Sequence, residues 1–121
     1  MQQEIKGMLG LMEGAKPVPH SEVAKVATYR DACRMTWLHR RVKGMTLRTL
    51  AECSGLYAPH VTDYLHESDT DRHGKERRSL PAARIAVVES ITGNTFISQW
   101  LAHQSGLTVL EGMIADQRVA A

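Results

Sequence analysis

The sequence predicts an all-α fold of about six helices, and three observations indicate it. Apolar residues recur at steps of three and four along most of the chain, as on one face of a helix. No segment alternates apolar and polar residues over the length of a strand. Glycine, proline, serine and threonine fall where such helices would begin and end. A length of 121 residues, with 43% hydrophobic and 23% charged residues, suits one globular domain with its own core.

An extended arm and one long helix are predicted for the N-terminal third. Glycines and prolines interrupt residues 1–20, which are therefore expected to form a flexible arm. Ser21 can cap a helix that runs to about Val42, before Gly44 ends it. The apolar stripe of this helix is Val26, Tyr29, Cys33 and Trp37. Its C-terminal cations are Arg40, Arg41 and Lys43, which suit the helix dipole there.

Two short helices and a long loop are predicted for the middle of the chain. Thr46 precedes a helix over residues 47–54, and Gly55 ends that helix. Pro59 suits the first turn of the next helix, which reaches about His66. Residues 67–79 are entirely polar or glycine and are predicted to form a loop, of a length that is often functional.

Three more helices are predicted after this loop. Ser79 and Pro81 open the first, and Gly93 ends it; its apolar face is Ile85, Val88 and Ile91. Asn94 caps the next, which Gly106 ends; its apolar stripe is Ile97, Trp100 and Leu101. Thr108 and Glu111 form a capping box for a last helix within residues 106–121. The apolar residues of that helix, Val109, Leu110, Met113 and Ile114, either complete the core or form a dimer contact; dimerisation is the favoured interpretation.

The charges of the chain are arranged in blocks, although the formal net charge is only +2. Residues 30–48 carry +5, residues 49–71 carry −5 and residues 72–84 carry +4. Two separated basic blocks predict an anionic partner. The alternative interpretation is a solvated surface whose charge is uneven.

The segment from Leu47 to His66 is the most informative part of the sequence. Ala51 provides the small side chain that two closely packed helices need, and Gly55 suits a tight turn between them. Apolar contacts are provided by Leu50, Leu56, Val61 and Tyr64. This segment resembles the helix-turn-helix of the λ-repressor and Cro family. The similarity extends over about residues 30–105, which would form a λ-repressor-like five-helix DNA-binding domain.

A narrower resemblance lies in residues 93–101, which are similar to the fifth helix of phage regulators of the CII type. Two features depart from the family pattern. Ser54 stands where the family places an apolar residue, and residues 68–79 form an insertion relative to compact members. The resemblance divides the chain into an arm (residues 1–20), a helix-turn-helix domain (21–105) and a C-terminal helix (106–121).

The resemblance implies that the third predicted helix, which has Pro59 in its first turn, enters the major groove of DNA. The implied base-reading residues are Tyr57, Ala58, His60, Thr62, Asp63 and His66. The implied phosphate-binding residues are Arg40, Arg41, Lys43, Arg48, Lys75, Arg77 and Arg78. The acidic block at residues 49–71 is the main evidence against this assignment.

Together these features predict a sequence-specific DNA-binding transcriptional regulator of phage, prophage or plasmid type. It would bind an operator in double-stranded DNA as a homodimer, and block or recruit RNA polymerase as repressor or activator. The alternative is a protein-interaction module, such as an antitoxin or anti-repressor, that keeps the fold and uses the acidic block.

No enzymatic activity, cofactor or metal is expected, since no catalytic arrangement of residues is recognisable. The spacing of Cys53, His60, His66 and His73 matches no common zinc pattern. A cytoplasmic location is expected, because two cysteines provide no disulfide framework and residues 1–14 make a poor signal peptide. No apolar run is long enough to cross a membrane.

Overall fold

The computed structural model describes residues 14–106 and 109–120, and the regular secondary-structure elements of this part of the chain are all helices, which confirms the all-α class. The helices are α1 (His20–Ala24), α2 (Tyr29–Leu38), α3 (Leu47–Ser54), α4 (Ala58–Tyr64), α5 (Ile85–Thr92), α6 (Phe96–Ser105) and α7 (Val109–Ala120). A 3₁₀ turn, Ala82–Arg84, leads into α5. Among the described residues, no helix has both the length and the apolar character needed to span a membrane.

The single long helix predicted for residues 21–42 is wrong, because two helices stand in its place. The chain leaves α1 after Ala24, and Thr28 starts α2 with its hydroxyl accepting the Asp31 amide at 3.1 Å. Between the helices, the carbonyl of Val26 accepts a hydrogen bond from the indole Nε1 of Trp100 at 2.8 Å. This contact uses a carbonyl that an unbroken helix would have needed for itself.

The cations predicted for the last turn of the long helix lie beyond α2, which ends at Leu38. The guanidinium of Arg40 lies 4.2 Å from the ring centroid of Trp37. It donates to the carbonyls of Trp37 (3.2 Å), Lys43 (2.9 Å) and Met45 (3.2 Å). Arg40 therefore binds backbone carbonyls both at the helix end and in the connection to α3.

The bounds predicted for α3 are confirmed, as is the turn that follows. The hydroxyl of Thr46 accepts the Thr49 amide at 3.2 Å, and Gly55 adopts φ 68°, a left-handed conformation that glycine adopts at little cost. Ser54 is buried and its hydroxyl donates to the carbonyl of Leu50, so the departure from an apolar residue is accommodated. α4 ends at Tyr64, two residues earlier than predicted.

The core consists of two groups of buried side chains, which share the half-buried Tyr29. The larger group lies among α2 to α6 and includes Cys33, Leu50, Ala51, Val61, Tyr64, Ile85, Val88 and Ile97. The smaller group joins α1, α2 and α6 and consists of Val23, Ala32, Phe96 and Trp100. Burial of Cys33 raises the pKa of its thiol to about 12. Leu101 was predicted to belong to the apolar stripe of α6, but it is exposed, and Phe96 is buried instead.

The described part of the predicted N-terminal arm is bound to α6 and to the turn before it. The Lys16 amide donates to the carbonyl of Gly93, and its own carbonyl accepts the Thr95 amide, each at 3.1 Å. Val18 exchanges two hydrogen bonds of 2.9 Å with the side-chain amide of Gln99. Residues 1–13 of the arm lie outside the described residues.

The C-terminal helix α7 presents its described apolar side chains to solvent. Met113 is 57% exposed and Ile114 is 38% exposed, so the interpretation that these two residues complete the core is wrong. The side chains of Val109 and Leu110, and the whole of Thr108, lie outside the described residues. The predicted dimer contact remains a prediction.

Candidate nucleic-acid interface

The two faces of α4 differ in burial. Val61 and Tyr64 face the core and are 1% and 7% exposed. The other side of the helix and the residue before it are open to solvent: Tyr57, Ala58, Pro59 and Thr62. Four adjacent exposed positions are therefore held on a helix whose opposite face is fixed by packing.

Aromatic contacts order the side chains at the start of α4. The ring of His60 meets the ring of Tyr57 edge-on with centroids 4.6 Å apart, and that of Tyr64 at 6.2 Å. Since Tyr64 is buried, this chain of contacts connects the exposed Tyr57 to the core. Tyr57 and His60 thus present polar atoms from a surface that is partly ordered before any ligand arrives.

Asp63, at the end of α4, is occupied by two arginines of the following loop. Its Oδ1 lies 3.1 Å from Nη1 of Arg77, and its Oδ2 lies 3.2 Å from Nη1 of Arg78. Desolvation acts to raise the pKa of the Asp63 carboxyl. The hydrogen bonds and charges of Arg77 and Arg78 outweigh it and hold that pKa below its ordinary value.

Arg30, on α2, binds the backbone of the same region. Its Nη1 donates to the carbonyls of Asp63 and of His66, the latter at 3.4 Å. Its Nη2 donates to the carbonyls of Arg77 (3.3 Å) and Arg78 (3.1 Å). One guanidinium therefore joins the C-terminal end of α4 to the end of the loop.

The loop that was predicted for residues 67–79 is folded back on itself. Asp71 Oδ1 accepts the amides of His73 (2.8 Å) and Lys75 (2.9 Å), and the Arg77 amide donates to the carbonyl of Asp69 at 2.8 Å. The side chain of Lys75 is exposed. The loop thus has its own hydrogen bonds in addition to those that Arg30 provides.

The first basic block is used mainly within the fold. Arg41 donates to the carbonyls of Ser90 (3.3 Å) and Gly14 (3.5 Å), at the end of α5. Lys43 donates to the carbonyl of Leu38 at 3.0 Å, and Arg48 pairs with Glu52 at 3.0 Å on the surface of α3. Arg40 is bound at the end of α2, so three of these four cations contact backbone carbonyls and Arg48 pairs with a carboxylate. Their binding to phosphate stays a prediction.

Sequence reasoning missed two cations beside α4. Arg30 is one, and its role could not be read from the sequence because all its acceptors are backbone carbonyls. The other is Arg84, whose exposed guanidinium lies next to the turn before α4: a Cβ added to Gly55 would stand 3.7 Å from its Nη1. Exposed guanidinium groups therefore stand near both ends of α4, Arg84 at its start and Arg78 at its end.

Most of the described acidic side chains of residues 49–71 have partners nearby. Glu52 pairs with Arg48, Asp63 with two arginines, and Glu67 lies 3.8 Å from Arg34. The negative charge of the block is therefore offset locally. Within residues 14–106 and 109–120, no three histidine, cysteine or acidic side chains are grouped so that they could hold a metal ion.

Comparison with known proteins found no matching family model, no matching curated protein and no matching solved structure.

Proposed function

We propose that this chain is a DNA-binding transcriptional regulator with a λ-repressor-like fold, in which α3 and α4 form a helix-turn-helix and α4 enters the major groove. One observation carries the proposal: α4 is fixed on one face by the core and by the left-handed turn at Gly55, while its other face is open. A major groove about 12 Å wide admits an α-helix in this manner.

The open face of α4 provides the chemistry for reading base edges. The hydroxyls of Tyr57 and Thr62 and the ring of His60 can hydrogen-bond to base or phosphate groups. Ala58 provides an apolar contact for a thymine methyl group. With no arginine, asparagine or glutamine on this face, base readout is modest, and DNA shape contributes to specificity.

Cations around α4 supply the affinity for the phosphate backbone. Arg84 and Arg78 are exposed near the two ends of the helix, and Lys75 is exposed in the adjoining loop. The ion pairs of Asp63 with Arg77 and Arg78 offset the negative charge that opposed this assignment most directly. Binding is therefore expected to weaken steeply with salt, since each neutralised phosphate adds about −0.9 to the slope of log K against log salt concentration.

Dimerisation through α7 completes the proposal. The described apolar side chains Met113, Ile114 and Val119 are all exposed on this helix, and Val119 is 88% exposed. A second copy that covered them would give the homodimer that two-fold operators require.

A selection experiment tests the proposal. A randomised DNA duplex library is selected on the wild-type protein, and the enriched sequence is titrated with Tyr57→Ala and Thr62→Ala, with the exposed α6 change Gln104→Ala as control. The two α4 variants are expected to lose preference for the enriched sequence, while the control retains it. Failure to enrich any sequence at low salt would refute the proposal and favour the protein-interaction alternative.

A further inference from the structure

We infer that Asp63 is a positioning residue, and that it holds Arg78 beside α4 to bind one backbone phosphate of the DNA. This inference rests on the proposed function, and it changes the roles expected for two residues. Asp63 would not read a base, and Arg77 would not bind a phosphate. Arg78 alone of the pair would make that contact.

The two arginines on Asp63 differ in how far solvent can reach them. The Arg77 side chain is 17% exposed, and its Nε also donates to the carbonyl of Thr70 at 3.3 Å. The Arg78 side chain is 56% exposed. Its Nε and Nη2 make no hydrogen bond to any described residue, while its Nη1 is held by Asp63.

The two arginines therefore have different roles. Arg77 is enclosed by the loop and fastens the loop to Asp63. Arg78 is held at one nitrogen and keeps its remaining donors for an incoming anion. A guanidinium held in this way loses less side-chain freedom when it binds a phosphate than a free arginine does.

The charge of the cluster also favours a phosphate. Arg30, Arg77 and Arg78 converge on the end of α4, where Asp63 is the carboxylate that two of them contact. Arg30 is bound by backbone carbonyls, and no described carboxylate pairs with it. Positive charge therefore remains beside Asp63 after its ion pairs have formed.

The test compares two changes that remove the same charge from the same region. Asp63→Asn breaks the ion pairs. Asp69→Asn is the matched control, because the Asp69 carboxylate makes no hydrogen bond or ion pair to a described residue. The first measurement needs no DNA: it is the hydrogen-exchange rate of the Arg77 amide, which is bonded to the Asp69 carbonyl at 2.8 Å. We expect Asp63→Asn to raise this rate about tenfold and Asp69→Asn to leave it unchanged.

The second measurement is affinity for a mixed-sequence duplex, because phosphate contacts do not depend on base sequence. Asp63→Asn is expected to bind more weakly than Asp69→Asn, although both lack one negative charge. Arg78→Gln is expected to bind about tenfold more weakly than wild type, with a salt slope less steep by about 0.9 and normal exchange at the Arg77 amide.

Two results would overturn the inference: an unchanged exchange rate in Asp63→Asn, or tighter duplex binding by Asp63→Asn than by Asp69→Asn. The latter would show that Asp63 shields the arginines from DNA and does not present them. If the wild-type protein binds no duplex at low salt, the proposed function and the phosphate contact fail together. The exchange measurement then still decides whether Asp63 positions the loop.

Discussion

The structural role of Arg41 can be measured with alanine substitutions at two glycines that adopt a left-handed backbone conformation. Gly55 has φ 68° and Gly93 has φ 85°, so alanine at either position costs roughly 1–2 kcal/mol in backbone strain. At Gly55 the added Cβ would lie 3.7 Å from Nη1 of Arg84, the nearest atom outside the adjoining residues, which is an ordinary contact. Gly55→Ala should therefore cost the strain alone.

At Gly93 the added Cβ would lie 2.3 Å from Nε and 2.6 Å from Cζ of Arg41, so that side chain must move. It would then lose its hydrogen bonds to the carbonyls of Ser90 and Gly14, which are long at 3.3 and 3.5 Å. Charge-assisted bonds at the weak end of their range are worth about 1.5 kcal/mol. Losing both bonds costs about 3 kcal/mol, so together with the backbone strain we expect Gly93→Ala to cost roughly 4–5 kcal/mol in total.

Urea unfolding measures both changes, because a shift in midpoint at constant slope reports the free energy of unfolding. The control is a double-mutant cycle with Arg41→Ala, in which the excess cost of Gly93→Ala over Gly55→Ala should disappear. Equal costs for the two glycine changes in the wild-type background would refute this role of Arg41. So would an excess that persists without the Arg41 side chain.

Three further predictions concern the pH dependence of stability, thiol reactivity and oligomeric state. The pKa of Asp63 is lower in the folded protein than in the unfolded chain, so its contribution to stability is present above the unfolded pKa of about 3.9 and is lost as pH falls through the folded pKa. Asp63→Asn should therefore make the decline of the melting temperature at acid pH shallower, and an unaltered decline would contradict the ion pairs. In a thiol-labelling assay, the exposed Cys53 should react in the native protein, whereas the buried Cys33 should react only after unfolding, because burial raises the pKa of the Cys33 thiol to about 12. Equal labelling rates would contradict this difference in burial. Met113→Lys with Ile114→Lys should convert a dimer to a monomer in sedimentation without loss of helical signal, whereas an unchanged sedimentation coefficient would exclude these side chains from the contact.

The parts of the fold that were predicted correctly depend on local sequence signals. Thr46 and Gly55 cap the two ends of α3 through contacts with near neighbours, and Pro59 lies in the first turn of α4. The alternation of buried and open faces on α4 follows from the spacing of Val61 and Tyr64. Such features need only a few residues of context.

The incorrect predictions concern places where residues distant in the sequence determine the local structure. The break before α2 depends on Trp100, which bonds to a carbonyl 74 positions away. Local pattern alone favours one continuous helix there. The exposure of Leu101 likewise depends on how α6 packs against α2, and Phe96 takes the buried position.

The roles of the charged residues were the least predictable part of the candidate site. Charge blocks in the sequence do not show whether an arginine meets a phosphate, a carboxylate or a backbone carbonyl. Arg40 and Arg41 bind carbonyls at helix ends, whereas Arg77 and Arg78 meet Asp63 across 14 and 15 positions. Formal charge is readable from the sequence, but its partners are set by the tertiary fold.

Footprinting of the wild-type protein on the DNA upstream of its own gene determines whether the open face of α4 reads DNA. We expect a protected sequence with two half-sites about 10 base pairs, or one helical turn, apart. Protection should decrease as salt rises and should be lost in Tyr57→Ala combined with Thr62→Ala. Absence of any protected sequence at low salt, or unchanged protection in the double variant, would contradict this role of α4.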